Sequence, residues 1–133
     1  MNGNDFDRAV KLSIVIPCYN EEKTLRECVG RVEAIADERL SLDIVIVDDC
    51  STDGSLTIAL ELEEHHPEIS VVRHEKNRGK GAALRTGFQN VTGDFVAVQD
   101  ADLEYDPMDL KRLLVPLVSG DADVVFGSRF LST

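Results

Sequence analysis

Five short apolar runs, separated by segments of helical periodicity, constrain this chain to one kind of architecture. Residues 12–16, 43–47, 69–73, 95–98 and 124–126 are rich in β-branched side chains and apolar at nearly every position, the pattern of strands buried on both faces. Between the first two, Leu25, Cys28, Val29, Val32, Ile35 and Ala36 recur at helical spacing, with Asn20 or Thr24 as candidate caps. Residues 51–54 open a second helix through Leu56, Ala59, Leu60 and Glu63, and residues 79–89 hold a third, loosened by Gly81 and Gly87. A fourth is expected from Pro107 to about Val118. Pro107 suits a helix start, and Pro116 is expected to kink or shorten the last turn. Strand and helix in alternation predict an α/β fold of three layers, with a mostly parallel, Rossmann-like sheet and helices on both faces. At 133 residues and 43% hydrophobic, one domain over residues 12–133 is expected, after a polar leader (residues 1–11) expected to be flexible.

In such a sheet, ligands bind outside the carboxyl ends of the strands. Four of the five runs end in residues with chemical potential. The fourth leads into Gln99-Asp100-Ala101-Asp102-Leu103-Glu104, two carboxylates on a loop with a third close behind. Hard divalent cations take oxygen ligands and share their shell between one or two carboxylates and substrate phosphates, so an Asp-x-Asp here suggests metal-bridged diphosphate binding. The chain holds two further triplets, Asp5-Phe6-Asp7 and Asp121-Ala122-Asp123. The first lies in the leader and the second at the amino end of its strand, so only Asp100 and Asp102 face the expected crevice. Glu104 is a further candidate ligand or a surface carboxylate.

The first run ends in Pro17-Cys18-Tyr19-Asn20-Glu21. Proline halts the strand, Tyr19 offers a flat face for a base or ribose, and Asn20 and Glu21 are hydrogen-bond acceptors; Asn20 reads equally well as a turn or cap residue. The second ends in Asp48-Asp49, a repelling pair unless a base imide, a ribose hydroxyl or a metal meets it. Asp49 or Ser51 also suits capping of the following helix. After the third comes Glu75-Lys76-Asn77-Arg78-Gly79-Lys80-Gly81, a basic, glycine-rich loop at a helix amino terminus, where anions are attracted. It is not a Walker A loop. Lys80, between its glycines, is the stronger candidate and Lys76 reads as solvated charge. Arg129 after the fifth run is a phosphate partner by a bidentate fork, or an exposed residue without a role. His65, His66 and His74 read as solvated surface.

Charge narrows the partners. With 25 acidic against 14 basic residues and a net charge of −11, the chain is a poor nucleic-acid binder, and an anionic ligand would need a cation to screen it. Cys18, Cys28 and Cys50 form no Cys-x-x-Cys pair and leave one over, so neither a zinc site nor a disulfide framework is indicated, and a reducing cytoplasm is the expected location. No apolar run approaches the roughly 18 residues of a membrane span.

Together the motifs 14–22, 47–54, 77–83 and Asp100-Ala101-Asp102 resemble, in order and spacing, the inverting glycosyltransferase family 2 with its GT-A fold, over essentially the whole chain from Leu12. Residues 100–107 and Gly127-Ser128-Arg129 look most like the dolichol- or polyprenyl-phosphate mannose and glucose synthases. The resemblance implies hexose transfer from a nucleotide-diphosphate sugar of the GDP-mannose or UDP-glucose type to an acceptor such as a polyprenyl phosphate, dependent on Mg²⁺ or Mn²⁺. It places Pro17, Tyr19, Glu21 and Asp48 around the nucleoside, Asp100, Asp102 and Glu104 at diphosphate and metal, and Arg129 near phosphates or acceptor. Relatives continue past residue 133 into an acceptor-binding half, so this chain is expected to be a C-terminally truncated, donor-binding half that transfers weakly or not at all alone. An unpaired sheet edge would favour self-association. The longer enzyme is expected to sit peripherally at the inner membrane face.

Three other readings compete. A sugar nucleotidyltransferase wants its glycine-rich loop after the first strand, where Pro17-Cys18-Tyr19-Asn20 stands. A phospho-receiver domain wants an aspartate after the third, where Arg73-His74-Glu75 stands. A non-catalytic nucleotide-binding or oligomerising remnant would retain the same donor motifs.

Overall fold

The computed structural model describes Phe6 and residues 8–118, together with the backbone of residues 129–132. Elements alternate as β1 (Val10–Cys18), α1 (Leu25–Glu33), β2 (Leu40–Asp48), α2 (Ser55–His65), β3 (Ile69–Arg73), α3 (Lys80–Phe88), β4 (Phe95–Val98), α4 (Pro107–Val118) and β5 (Arg129–Ser132). The sheet order is β3-β2-β1-β4-β5. The first four are mutually parallel, and β5 closes one edge antiparallel to β4, with Val98 opposite Arg129.

Alternation along the central strands divides the core in two. Leu12, Ile14 and Ile16 of β1 with Ile44 and Ile46 of β2 face one side, where Leu25, Val29 and Val32 of α1, Ala59 and Leu62 of α2 and Leu110 and Leu114 of α4 cover them. Val15, Val45, Val47 and Val96 face the other side, against Ala83, Leu84 and Phe88 of α3. These strands are therefore buried on both faces, as their unbroken apolar runs require.

Several expected boundaries move. β1 begins at Val10, and Phe6, only 4% exposed, packs into the larger core, so part of the expected flexible leader belongs to the domain. α1 ends at Glu33, before the expected Ile35 and Ala36; Ile35 is still buried, in the turn beyond. Thr24 stands at its N-cap position without a side-chain cap bond, and Asn20 does not cap it either. α4 keeps its expected bounds, Pro107–Val118, with Pro116 inside it, because a proline in the last turn removes only one backbone bond near an end that already lacks several. The expected strand 124–126 lies outside the described residues.

Candidate active site

The strand order reverses direction between β1 and β4, and in an open α/β sheet a crevice forms at the carboxyl ends of the strands on either side of such a switch. An open cleft of about 600 Å³ lies there. β1 contributes Pro17, Cys18, Tyr19 and Glu21 to its walls; the β2 and β3 loops add Asp49, Asn77, Gly79 and Lys80; the β4 loop adds Asp100, Asp102 and Glu104. Backbone strain collects at the same edge. Asn20 (φ 54°), Cys50 (φ 64°), Leu103 (φ 67°) and Gly79 (φ 93°) are the left-handed residues among those described, and one stands on each loop that leaves the carboxyl end of a parallel strand.

Two of these loops are stitched together. Asn20 Oδ1 accepts from the amide of Thr52 at 2.8 Å and that of Asp53 at 3.3 Å, while the Asn20 amide donates to Ser51 Oγ at 2.9 Å. The Glu21 amide donates to the buried Ser55 Oγ at 2.8 Å, and Gly54 donates to Glu22 Oε2 at 2.9 Å. Asn20 is thus turned away from the cleft and fixes the β1 and β2 loops, while Tyr19 stands on its wall, 46% exposed.

The adjacent carboxylates of β2 have separate surroundings. Asp48 is fully buried and does not line the cleft; its Oδ2 accepts the Ser51 amide at 3.1 Å, and its Oδ1 has no hydrogen-bond partner among the described residues. Asp49 does not cap α2, where Asp53 Oδ1 takes the Ser55 amide instead. Its Oδ1 meets His74 Nδ1 at 2.7 Å and accepts the Arg78 amide at 2.9 Å; Oδ2 accepts the Gly79 amide at 2.9 Å. Burial acts to raise the Asp49 carboxyl, but the bonds from His74 and the two amides outweigh it and hold the group below its ordinary range. His74 is 5% exposed, with Nε2 2.8 Å from Thr86 Oγ1 of α3, which corrects its reading as solvated surface. Alternation contained that signal: Arg73 points outward, so the next residue points in.

Lys80, the first residue of α3, pairs with Asp100 at 2.6 Å, and both are partly solvated, so the pair itself contributes little stability. The β4 loop folds back on itself: buried Gln99 donates from Nε2 to the Tyr105 carbonyl at 3.0 Å, and Asp102 Oδ1 accepts the Glu104 amide at 3.0 Å. Asp100, Asp102 and Glu104 form an all-oxygen set on one loop, the donor chemistry of Mg²⁺ or Mn²⁺. They do not gather into a closed ligand group, so a metal there would complete its shell with ligand phosphates. Cys18 and Cys28 are buried free thiols, and burial pushes them up to about 11 and about 12. Arg129 opens β5; the other two Asp-x-Asp triplets, through Asp5, Asp7, Asp121 and Asp123, and residues Gly127 and Ser128 lie outside the described residues.

Fold and cleft define an α/β domain with a ligand crevice at its topological switch. The profile of Glycosyl transferase family 2 matches residues 13–133, and the chain belongs to that family. It is 36% identical over 122 residues to a dolichol-phosphate mannosyltransferase of Pyrococcus furiosus, covering 92% of this chain and 34% of the relative. An undecaprenyl-phosphate 4-deoxy-4-formamido-L-arabinose transferase of Sodalis glossinidius is 41% identical over 119 residues, covering 86% and 36%. Among solved structures, a mannosyltransferase of Pyrobaculum calidifontis in complex with GDP-mannose and Mn²⁺ superposes with a TM-score of 0.73 at 28% identity, covering 89% of this chain and 34% of that one. The fold is the GT-A glycosyltransferase fold. The chain spans about a third of the length of the curated relatives it matches. Among the described residues, no helix is long and apolar enough to cross a membrane.

Proposed function

We propose that this chain is the donor-binding part of an inverting, metal-dependent glycosyltransferase that moves a hexose from a nucleoside diphosphate sugar to a polyprenyl phosphate. One observation carries the reading: three carboxylates of the β4 loop face Lys80 at the amino end of α3, across a cleft at the sheet's switch point. The relatives named for dolichol- and undecaprenyl-phosphate acceptors support the acceptor class.

In this reading Tyr19 and Pro17 flank the nucleoside and Glu21 accepts from ribose. Asp48, buried at the end of β2, backs the nucleoside wall without reaching the ligand, and Asp49 acts through the loop that it holds. Asp100, Asp102 and Glu104 hold Mg²⁺ or Mn²⁺, which when bound neutralises the leaving diphosphate. Lys80 and the α3 terminus add positive potential beside the phosphates, and Arg129 serves phosphate or acceptor. Displacement at the anomeric carbon then forms one C–O bond to the acceptor as the bond to the diphosphate breaks. A phosphate acceptor is already anionic near neutral pH, so no carboxylate of this chain is required as general base.

Calorimetric titration with GDP, UDP, GDP-mannose and UDP-glucose, in Mn²⁺ or Mg²⁺ and then in EDTA, tests this. Binding of one nucleotide series that disappears in EDTA and in Asp102→Asn is the expected result. A folded chain that binds none of the four under any condition overturns the reading.

A further inference from the structure

A second polar cluster lies at the other end of the sheet, where α1 and α2 end and β3 begins. Glu33 is the last residue of α1, His66 follows α2, and Glu68 precedes β3. One ligand atom from each lies within 4.8 Å of the others, and this is the one such grouping of three among the described residues. We propose that Glu33, His66 and Glu68 form a binding site for a transition-metal dication of the zinc type, separate from the cleft.

The spacing is the first argument. His66 Nδ1 stands 3.4 Å from Glu68 Oε1 and 3.8 Å from Glu33 Oε1. Direct N–H···O hydrogen bonds cluster at about 2.7–3.2 Å. Donors around a tetrahedral ion with bonds of about 2.0–2.1 Å stand roughly 3.4 Å apart. His66 Nδ1 therefore stands beyond the usual hydrogen-bond distance from both carboxylates, and its 3.4 Å separation from Glu68 is the one that a shared ion sets.

The cluster also holds an unmet acceptor. Glu33 Oε1, the atom facing His66, is buried and has no hydrogen-bond partner among the described residues. An unpaired buried acceptor is destabilising, and two adjoining carboxylates repel as well. A dication would answer both demands.

The ligands are also held in advance. His66 and Glu68 flank Pro67 in a turn closed by the Ile69 amide on the His66 carbonyl at 3.0 Å, and the Glu68 carbonyl accepts the Ile44 amide of β2 at 2.9 Å. The side chains keep 42%, 25% and 29% exposure for His66, Glu33 and Glu68, which leaves an entry path and room for water as a fourth ligand. An imidazole in the set favours zinc and its neighbours over Mg²⁺ or Ca²⁺, which prefer oxygen alone.

Titration of the whole chain with ZnCl₂ by calorimetry, in the Asp102→Asn background to weaken metal binding in the cleft, tests the site. The expected result is one equivalent of Zn²⁺ bound, with affinity reduced at least about a hundredfold by His66→Gln and by Glu33→Gln. Both variants should still unfold cooperatively in EDTA, and the Zn²⁺-dependent rise in Tm should disappear in both. Zn²⁺ binding that neither substitution weakens, or no binding at all, overturns the proposal.

Discussion

Asp49→Asn separates the two things this carboxylate does, holding the fold and shaping the cleft. Three donors converge on it: His74 Nδ1 at 2.7 Å and the Arg78 amide at 2.9 Å on Oδ1, and the Gly79 amide at 2.9 Å on Oδ2. Asparagine offers one carbonyl oxygen. Placed at Oδ1 it keeps His74 and Arg78 but turns its NH₂ against the Gly79 N–H; flipped, it loses two bonds. The cheaper arrangement forfeits one hydrogen bond to a charged group, about 1.5–3 kcal/mol, and leaves two donors opposed, so a loss of about 2–4 kcal/mol is expected at pH 7. In a domain of this size that lowers Tm by roughly 10 °C. The pH dependence carries its own sign. Because the folded carboxyl is held below its ordinary value of 3.8, its stabilisation is fully present above that value and is lost as pH falls through the depressed one. Urea unfolding followed by circular dichroism should therefore show a gap between parent and variant that is constant from pH 7 to about 5 and narrows below about 4. Nucleotide affinity should fall with it, since Gly79 leads into Lys80. A variant within about 0.5 kcal/mol of the parent at pH 7 would refute the reasoning, since surface changes fall in that range.

Gly87→Ala should destabilise by about 1–2 kcal/mol, although helix propensity alone predicts a gain of about 1 kcal/mol. A Cβ there would lie 2.3 Å from Val15 Cγ1, which is fully buried on the central strand; a more stable variant in urea unfolding would count against this packing. Lys80→Ala should leave stability within about 1 kcal/mol, because its pair with Asp100 is partly solvated, yet weaken diphosphate binding about tenfold by calorimetry. Unchanged affinity would remove Lys80 from the site. Asn20→Ala should cost about 2 kcal/mol through the lost bonds to Thr52 and Asp53 and the φ of 54°, and thermal unfolding no different from the parent would contradict its role as a clamp.

The strand runs were legible because a parallel strand buried on both faces leaves an unbroken apolar record, and the Asp-x-Asp loop because it follows such a run directly. Side-chain roles that depend on a distant loop were not. Asn20 reads as a local cap, yet its partners are Thr52 and Asp53, more than thirty positions away. Asp49 reads as a cap for α2, and the amides it accepts belong to Arg78 and Gly79. His74 follows the last residue of β3, where alternation sends it inward, but nothing local names Asp49 and Thr86 as its partners. Phe6 is hidden for the opposite reason: one apolar residue between two aspartates has no periodicity to show.

The cleft's own charge argues that nucleotide and metal must bind together. Among the described residues, its lining carries Glu21, Asp49, Asp100, Asp102 and Glu104 against the ammonium of Lys80. Asp49 is already met by His74 and two amides, and Asp100 by Lys80. That leaves Glu21, Asp102 and Glu104, each held by a single neutral donor or none and by no cation among the described residues, to oppose an incoming diphosphate. In a partly desolvated crevice each added anion within about 4 Å of a carboxylate meets roughly 4 kcal/mol of repulsion at an effective dielectric near 20. On the proposed reading, a dication shared by the β4 carboxylates and the phosphates would turn these repulsions into attractions. The coupling is reciprocal, so nucleotide must tighten metal by the same factor that metal tightens nucleotide. Measured in both orders by calorimetry, that factor should exceed about tenfold and be equal within error. A metal that binds no more tightly with GDP or UDP present would mean that the two do not share these carboxylates.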